Sequence, residues 1–182
     1  HNEIIGYHGS EEGLETLLGY QLFSIGNRAD SAALVYQVDY VLDGYVKKAG
    51  TNFVLSVGRL IGSQPELKGE QRLRKEDIYW EMPRCYQWDI TVNLPEGYRI
   101  SPEGLERLNV KVENDCGAFI VQATTEDGTL RIKAEKRINH KTEPVANWEK
   151  LLEITDAANS YEALSIVFQA TINPPTSPTT GY

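Results

Sequence analysis

The sequence predicts a mainly β fold, an antiparallel β-sandwich-like domain that carries one or two accessory helices. Every second position in residues 34–42 is apolar or aromatic, with Gln37 and Asp39 between them, which is the pattern of a strand with one buried face. Three further alternating runs follow one another between residues 109 and 138, separated by short turns. With 182 residues, the chain is long enough to bury a substantial core without disulfides or metal ions.

The first strands are predicted from residue 34 onwards. Every second residue from Leu34 to Leu42 is apolar or aromatic, and the alternation resumes from Phe53 to Val57 after the turn-forming segment Gly50–Asn52. Because neighbouring runs joined by a turn usually pair with each other, residues 34–58 are predicted to form a hairpin.

A connecting loop and another strand are predicted next. Residues 59–69 contain Gly62, Pro65 and Gly69, which interrupt the alternation and favour a loop. A strand is predicted from about residue 70 to residue 80.

The second half of the β structure begins with the alternating run from Trp88 to Leu94, which a proline-glycine turn ends. Three runs then predict a meander over residues 109–138. Its two turns contain Asn114–Gly117 and Asp127–Gly128, and Asp-Gly favours a tight hairpin because both residues tolerate positive φ.

Two segments show helical rather than β spacing. Leucines and isoleucines recur every three or four residues in Ser10–Ile25, where Ser10 is a suitable N-cap, and residues 145–158 show similar spacing. A final strand is predicted over residues 164–172. The chain therefore divides into an N-terminal segment with a short helix (residues 1–30), a β-sandwich domain (31–173) and a Pro/Thr-rich tail (174–182).

The formal net charge of -8 argues against nucleic acid and anionic membrane surfaces as partners. The basic clusters at residues 72–75 and 133–137 are interrupted by other residues and are interpreted as solvated strand faces. No apolar run approaches the roughly 20 residues that span a bilayer, so membrane insertion is not expected. The chain starts at His1 rather than Met, which we interpret as the start of a fragment or processed product, with the N-terminal segment as a linker to an upstream domain.

The residues that could carry catalysis do not form a recognisable motif. Cys116 follows Asp115 in an acidic turn, where negative charge raises a thiol pKa, and Cys85 lies at a strand start. His140 is the one non-terminal histidine that could act as a base downstream, so a catalytic Cys-His pair is weighed against ordinary turn and core roles, which we favour. No catalytic, cofactor-binding or metal-ligating residue is predicted. Cys85 and Cys116 are expected to be free thiols, with a disulfide as the alternative in an exported protein.

Aromatic residues are the remaining candidates for ligand binding. Ten tyrosines and three tryptophans could contribute to a stacking platform for sugars or peptides. Tyr36, Tyr40 and Trp88 share faces with aliphatic residues and are assigned to the core. The less constrained Tyr79, Tyr86 and Tyr98 are the candidate ligand contacts.

Several short segments, in order and with consistent spacing, resemble a known family. The chain from about Tyr36 to Gln169 resembles the C-terminal domain of unknown function of bacterial transglutaminase-like proteins, which begin with a β-rich aminopeptidase-like domain. The segments that carry the resemblance are Leu60–Pro65, Arg72–Arg74, Pro83–Arg84, Leu94–Tyr98 with Ile100, Asn114–Gly117 and Ser165–Phe168.

The resemblance implies an accessory role. In that family the catalytic Cys, His and Asp lie in a central transglutaminase-like domain, upstream of this region, and no position here matches them. We therefore expect a non-catalytic structural or interaction module, with the upstream domains of the same polypeptide as partners. The resemblance also implies a bacterial periplasmic or cell-surface location. The alternative function is a carbohydrate- or peptide-binding module that uses exposed Tyr and Trp residues.

Overall fold

The computed structural model describes residues 14–27 and 32–171. The chain forms two compact units that divide after Val46, and each is described by itself. The Pro/Thr-rich tail predicted for residues 174–182 lies outside the described residues.

The first unit contains one long hairpin. Strand β1 (Leu14–Asn27) pairs antiparallel with strand β2 (Ala32–Leu42), so the strand predicted over residues 34–42 is confirmed. Two other predictions are wrong: the described part of Ser10–Ile25 is a strand and not a helix, and β2 pairs with β1 and not with residues 53–57.

Irregularities in β1 explain the wrong helix prediction. The register shifts at three places, each of which adds an unpaired residue to β1 opposite an uninterrupted β2. Leu17, Tyr20 and Leu22 consequently oppose Tyr40, Val38 and Tyr36, every second residue of β2. In β1 the same residues are spaced unevenly: Leu17 and Tyr20 are three residues apart, and Tyr20 and Leu22 are two apart. Bulges of this kind replace period-2 alternation by spacing that resembles a helix.

The second unit is built around a four-stranded antiparallel sheet. Its order is β6 (Arg84–Asn93), β10 (Thr129–Ile138), β9 (Gly117–Glu126) and β8 (Val110–Asn114). The predicted meander is therefore confirmed, and β6 confirms the predicted strand from Trp88. Asp127 and Gly128 both have positive φ in the tight turn between β9 and β10.

Shorter strands form two further antiparallel sheets. One has the order β3 (Val46–Ala49), β4 (Asn52–Leu55), β12 (Ile166–Ala170) and β7 (Tyr98–Arg99), and β12 confirms the predicted final strand. The other pairs β5 (Ile78–Tyr79) with β11 (Thr142–Glu143).

The strand predicted from residue 70 to residue 80 is wrong except at Ile78 and Tyr79. Residues Gly69–Arg72 form a 3₁₀ helix instead. Arg72 binds helix side chains rather than a neighbouring strand: its guanidinium donates two hydrogen bonds to Asp156, both 2.7 Å long, and its carbonyl accepts one from the indole of Trp148. The basic cluster at residues 72–75 is thus not a strand face.

Two α-helices complete the second unit. Helix α1 (Pro102–Glu106) is capped by Ser101, whose hydroxyl accepts a hydrogen bond from Gly104 N–H, and α2 (Trp148–Glu162) confirms the helix predicted over residues 145–158. Helix α2 packs on β8, β9 and the 3₁₀ helix Val57–Ile61. The core is formed by residues of β4, β5, β9, β10, β12, α2 and the 3₁₀ helix Val57–Ile61, together with Leu108 and Cys116. Its largest side chains are Tyr161, Phe119, Leu108, Leu130, Ile132 and Ile154. The predicted fold class, mainly antiparallel β with two helices, is confirmed.

Candidate functional site

The three candidate tyrosines lie in three different sheets. Tyr79 is in β5, Tyr86 in β6 and Tyr98 in β7. The structure therefore does not place them together on one sheet face as a stacking platform.

Tyr98 and Tyr79 differ in their exposure and in the number of contacts that they make. Tyr98 is half-buried, packs against the ring of Phe53 at a centroid distance of 5.1 Å, and donates its hydroxyl hydrogen to the carbonyl of Thr51. These contacts give it a role in holding β7. Tyr79 is 63% exposed, and the amine of Lys141 lies 5.2 Å from its ring centroid.

Tyr86 forms an exposed aromatic pair with Trp88. The two rings stack with their centroids 6.1 Å apart, and Tyr86 is 49% exposed while Trp88 is half-buried. Both residues lie on the face of β6 that continues the core face of β10, because Trp88 pairs with Ala134 and Tyr86 with Lys136. Trp88 therefore lies on the core face, as predicted, but the Tyr86–Trp88 pair is partly exposed to solvent at the sheet edge.

Lys136 lies beside this aromatic pair. The prediction that residues 133–137 form a solvated strand face is wrong for Lys136, which is half-buried and in phase with the buried residues Leu130, Ile132 and Ala134. Its ammonium donates a hydrogen bond to Oε1 of Gln64 at 2.9 Å. Burial lowers the pKa of Lys136, because the neutral amine needs less hydration than the ammonium ion.

The Gln64 side chain is itself held in place. Its Nε2 donates to the carbonyls of Ile61 and Gly62, which fixes the direction of Oε1 toward Lys136. Its backbone N–H donates to the Glu162 carboxylate at the end of α2. The segment Leu60–Pro65 thus presents a pre-oriented amide oxygen to the ammonium.

A second polar cluster gathers the residues considered for catalysis. Cys116 and His140 both contact Glu143. The Glu143 carboxylate accepts a hydrogen bond from the Cys116 thiol and lies 2.5 Å from Nδ1 of His140. Asn147 donates to the other carboxylate oxygen at 2.8 Å. Glu143 is 2% exposed and Cys116 is fully buried.

The electrostatics of this cluster are opposite to those of a cysteine nucleophile. Burial raises the pKa of the Cys116 thiol, and the negative charge of Glu143 and its hydrogen bond raise it further, against a smaller opposing effect of Lys150. A nucleophilic cysteine needs a lowered pKa and an approach path for substrate. The expected rise from the acidic turn is confirmed, although burial is the larger cause.

Glu143 is the residue that sequence reasoning missed here. Burial alone would raise its pKa, but hydrogen bonds from Asn147, His140 and Cys116 outweigh that effect, so the pKa of Glu143 lies below its ordinary value. The sequence offers only a weak signal, an acidic residue three positions after His140 and before Pro144.

The two cysteines are free thiols, as expected. Cys85 is exposed on β6 and pairs with Arg137, which in turn pairs with Ala118 in β9. Two inter-strand steps of about 4.8 Å therefore separate Cys85 from the strand that follows Cys116. This separation exceeds the reach of a disulfide, whose Cα atoms lie about 4.4–6.8 Å apart.

The opposite face of the large sheet carries a shallow groove of 430 Å³. Its lining includes Ile120 and the polar residues Gln87, Gln122, Lys133 and Glu135. Across the described ranges, no group of three or more His, Cys, Asp or Glu side chains is arranged to hold a metal ion. Helices long and apolar enough to cross a membrane are likewise not found among these residues.

The β1–β2 hairpin exposes eight large apolar side chains among the residues that the structure describes. Leu18 and Phe23, two of the extra residues at the register shifts, are 66% and 57% exposed. We call the exposed apolar residues of the hairpin the hairpin surface; they are Leu17, Leu18, Leu22, Phe23, Leu34, Val35, Tyr36 and Val41.

These features define a mainly β module with one helix-covered sheet, a partly buried Cys-Glu-His cluster and an exposed apolar hairpin. Residues 57–168 match the family described as a Domain of Unknown Function with solved-structure structure (DUF3858), and the chain belongs to this family. Neither the comparison with curated proteins nor that with solved structures found a match. All the segments on which the resemblance depends fall within the matched residues.

Proposed function

We propose that this chain is a non-catalytic accessory module of a larger transglutaminase-like protein, and that it contacts other domains of that polypeptide through the hairpin surface. The observation that carries the proposal is the exposure of eight large apolar side chains on two paired strands. Exposed apolar surface beyond scattered single residues is typical of interaction sites. By register, Val35 and Val41 lie on the face of β2 opposite to Leu34 and Tyr36, so the exposed side chains are distributed over both faces of the ribbon.

The architecture of the hairpin supports this role. A two-stranded ribbon is marginally stable in water without a further layer. Leu17, Leu22 and Tyr36 lie on one face in register, with the rings of Tyr20 and Tyr36 stacked at 6.2 Å, so this face is ordered and apolar. A neighbouring domain of the same polypeptide would supply the missing layer.

The internal polar cluster supports the non-catalytic part of the proposal. Cys116 donates its thiol hydrogen to a carboxylate and is inaccessible, while His140 is committed to the same carboxylate. Chemistry on a substrate would instead belong to an upstream domain. The proposal places that polypeptide in the periplasm or at the cell surface of a bacterium.

Hydrogen exchange tests the interaction. Amides of residues 16–24 and 33–41 are measured in this chain alone and in the full polypeptide that contains it. We expect stronger protection in the full polypeptide, and a loss of that added protection in Leu18→Ser/Phe23→Ser. The matched control is Gln21→Ser/Gln37→Ser, which changes polar residues of the same strands. Equal exchange with and without the other domains would overturn the proposal.

An activity assay tests the second half. The chain alone is incubated with glutamine-containing peptides and a primary amine, and ammonia release is followed. We expect no turnover. Turnover that disappears in Cys116→Ala would show that the chain has an active site of its own.

A second candidate function is ligand binding at the edge of the large sheet, and the exposed Tyr86–Trp88 stack favours it. Aromatic faces of this kind bind sugars and peptides. Titration of the chain with peptides and oligosaccharides, with Tyr86→Ala as the comparison, separates this function from the first.

A further inference from the structure

The strongest unassigned feature of the second unit is the neighbourhood of Lys136. Fully buried lysines in proteins are usually paired with a carboxylate, because burying an unpaired charge is unfavourable. The Lys136 side chain is half-buried and so is partly withdrawn from water. In the described part of the chain, Lys136 has one hydrogen-bond partner, the amide oxygen of Gln64, and no carboxylate forms an ion pair with it. An ammonium has three donors, so two are left for another acceptor.

We infer that Lys136, Gln64, Tyr86 and Trp88 form a binding site for a peptide carboxylate that has an apolar side chain next to it. The ammonium matches the carboxylate in charge, and Gln64 fixes the direction of the ammonium. The stacked rings supply a flat apolar surface on the same sheet face, since Tyr86 is the register partner of Lys136. This inference rests on the second candidate function and gives its ligand a chemical class.

The position of β6 favours a peptide over other carboxylates. Strand β6 is at the edge of its sheet, and its outer backbone groups pair with no strand in residues 14–27 or 32–171. It pairs with β10 through ten successive residues without a bulge, contains no proline and carries one charged residue, Asp89, in its interior. A regular, unblocked edge of this length is suited to pairing with an extended peptide.

A lysine with only a structural role would pack its aliphatic chain against the sheet and donate a hydrogen bond to an amide oxygen. Such a lysine would not distinguish a free carboxylate from an amide in solution. The two cases therefore differ in a measurable way.

The test is a titration of the ¹⁵N-labelled chain with N-acetyl-L-phenylalanine, followed by the indole N–H signal of Trp88. The indole of Trp148 serves as an internal reference, because it donates to the carbonyl of Arg72 at 2.8 Å. We expect a saturable shift of the Trp88 signal and at least about tenfold weaker binding of N-acetyl-L-phenylalaninamide, since charge-assisted hydrogen bonds are worth more than neutral ones.

Variants assign the effect to residues. Lys136→Met and Tyr86→Ala should each weaken binding about tenfold or more, whereas Lys133→Met, on the opposite face of β10, and Tyr79→Ala, in another sheet, should not. Lys136→Met keeps the apolar stem, and its melting temperature reports whether the fold is intact. The comparison of acid with amide needs no variant and remains decisive if a variant fails to fold.

Three results would overturn the inference. They are the absence of a saturable shift, equal binding of acid and amide, and unchanged binding in Lys136→Met. Saturable binding of methyl glucuronide with equal or higher affinity would overturn the assignment to peptides. Variants of the hairpin surface leave this titration unchanged, so its failure is separable from failure of the interaction proposal.

Discussion

The Nδ1 atom of His140 lies 2.5 Å from Oε1 of Glu143, which joins an exposed ring to a carboxylate that is only 2% exposed. Because an ionised carboxylate can only accept, Nδ1 carries the hydrogen of this bond. The hydrogen bonds that Glu143 accepts from His140, Cys116 and Asn147 connect the β8–β9 turn to the segment that leads into α2. Glu143 is thus a structural anion.

Acid should weaken the fold through Glu143. Its pKa is lower in the folded chain than in the unfolded chain, so Glu143 contributes stability above the unfolded value of about 4.3, and this contribution is lost as the pH falls through the folded pKa. We expect the free energy of unfolding, measured with urea from pH 7 to pH 3, to fall more steeply for the unaltered chain than for Glu143→Gln.

Two comparisons make that measurement specific. Asp156, whose pKa is lowered by the hydrogen bond from Arg72, titrates in the same direction in both chains, so only the difference between them reports Glu143. Glu126→Gln, at an exposed position, should retain the steep slope. Parallel pH profiles for Glu143→Gln and the unaltered chain would contradict the assignment.

The two thiols should differ sharply in reactivity. Cys85 is exposed, whereas Cys116 is buried and its pKa is raised by burial and by Glu143. In the native chain a thiol-specific chromogenic disulfide should label Cys85 alone, and in urea it should label both. Cys85→Ser is the control: rapid labelling of this variant under native conditions would show that Cys116 is accessible.

Gly58 should not tolerate alanine. A Cβ atom there would overlap the carbonyl oxygen of Tyr161, a backbone atom that cannot rotate away. We expect Gly58→Ala to lower the free energy of unfolding by roughly 2 to 3 kcal/mol, the usual effect of overpacking. Gly104→Ala is the matched control, because its Cβ would meet only side-chain atoms, the nearest at 3.2 Å. An equal effect of the two substitutions would contradict this explanation.

Tyr161 and Tyr98 should differ in how loss of the hydroxyl changes the stability of the fold. Tyr161 is 1% exposed, its hydroxyl has no hydrogen-bond partner in the described residues, and burial raises its pKa to about 12. We expect Tyr161→Phe to leave stability unchanged or raise it by up to about 1 kcal/mol. Tyr98→Phe, which loses the bond to Thr51, should lower stability by about 0.5 to 1 kcal/mol in the same thermal and urea unfolding series. A loss of stability in Tyr161→Phe would reveal a partner for that hydroxyl.

The sequence predicts best those elements that are determined by residues close together in the chain. The meander can be predicted because Asp127-Gly128 favours a tight turn, and the two flanking strands pair without a register shift. In β1 the alternation is interrupted, because the register shift between Leu17 and Gly19 puts Leu17 and Tyr20 three residues apart. Around Arg72, contacts with Asp156 and Trp148, distant in sequence, override the local pattern.

The candidate site is less accessible to sequence reasoning than the fold. Tyr86 could be selected as an unconstrained aromatic residue, but its partner Lys136 lies in another strand and appears in a basic cluster. Glu143 has two partners close in sequence, His140 and Asn147, but its third partner, Cys116, is brought to it by the β8–β9 turn. Register and burial, which determine both clusters, depend on pairings between segments far apart in the chain.

The position of β12 has a consequence for how the chain acquires its structure. Phe168 pairs with Phe53, so the sheet β3–β4–β12–β7 joins the two ends of the second unit, whereas β8, β9 and β10 pair with their immediate neighbours in sequence. Closing a long loop carries a larger entropic penalty than closing a short one, so the meander should form early and the terminal sheet late. During synthesis, β4 can pair with β3 at once, but almost the whole second unit must leave the ribosome before its other partner, β12, is available.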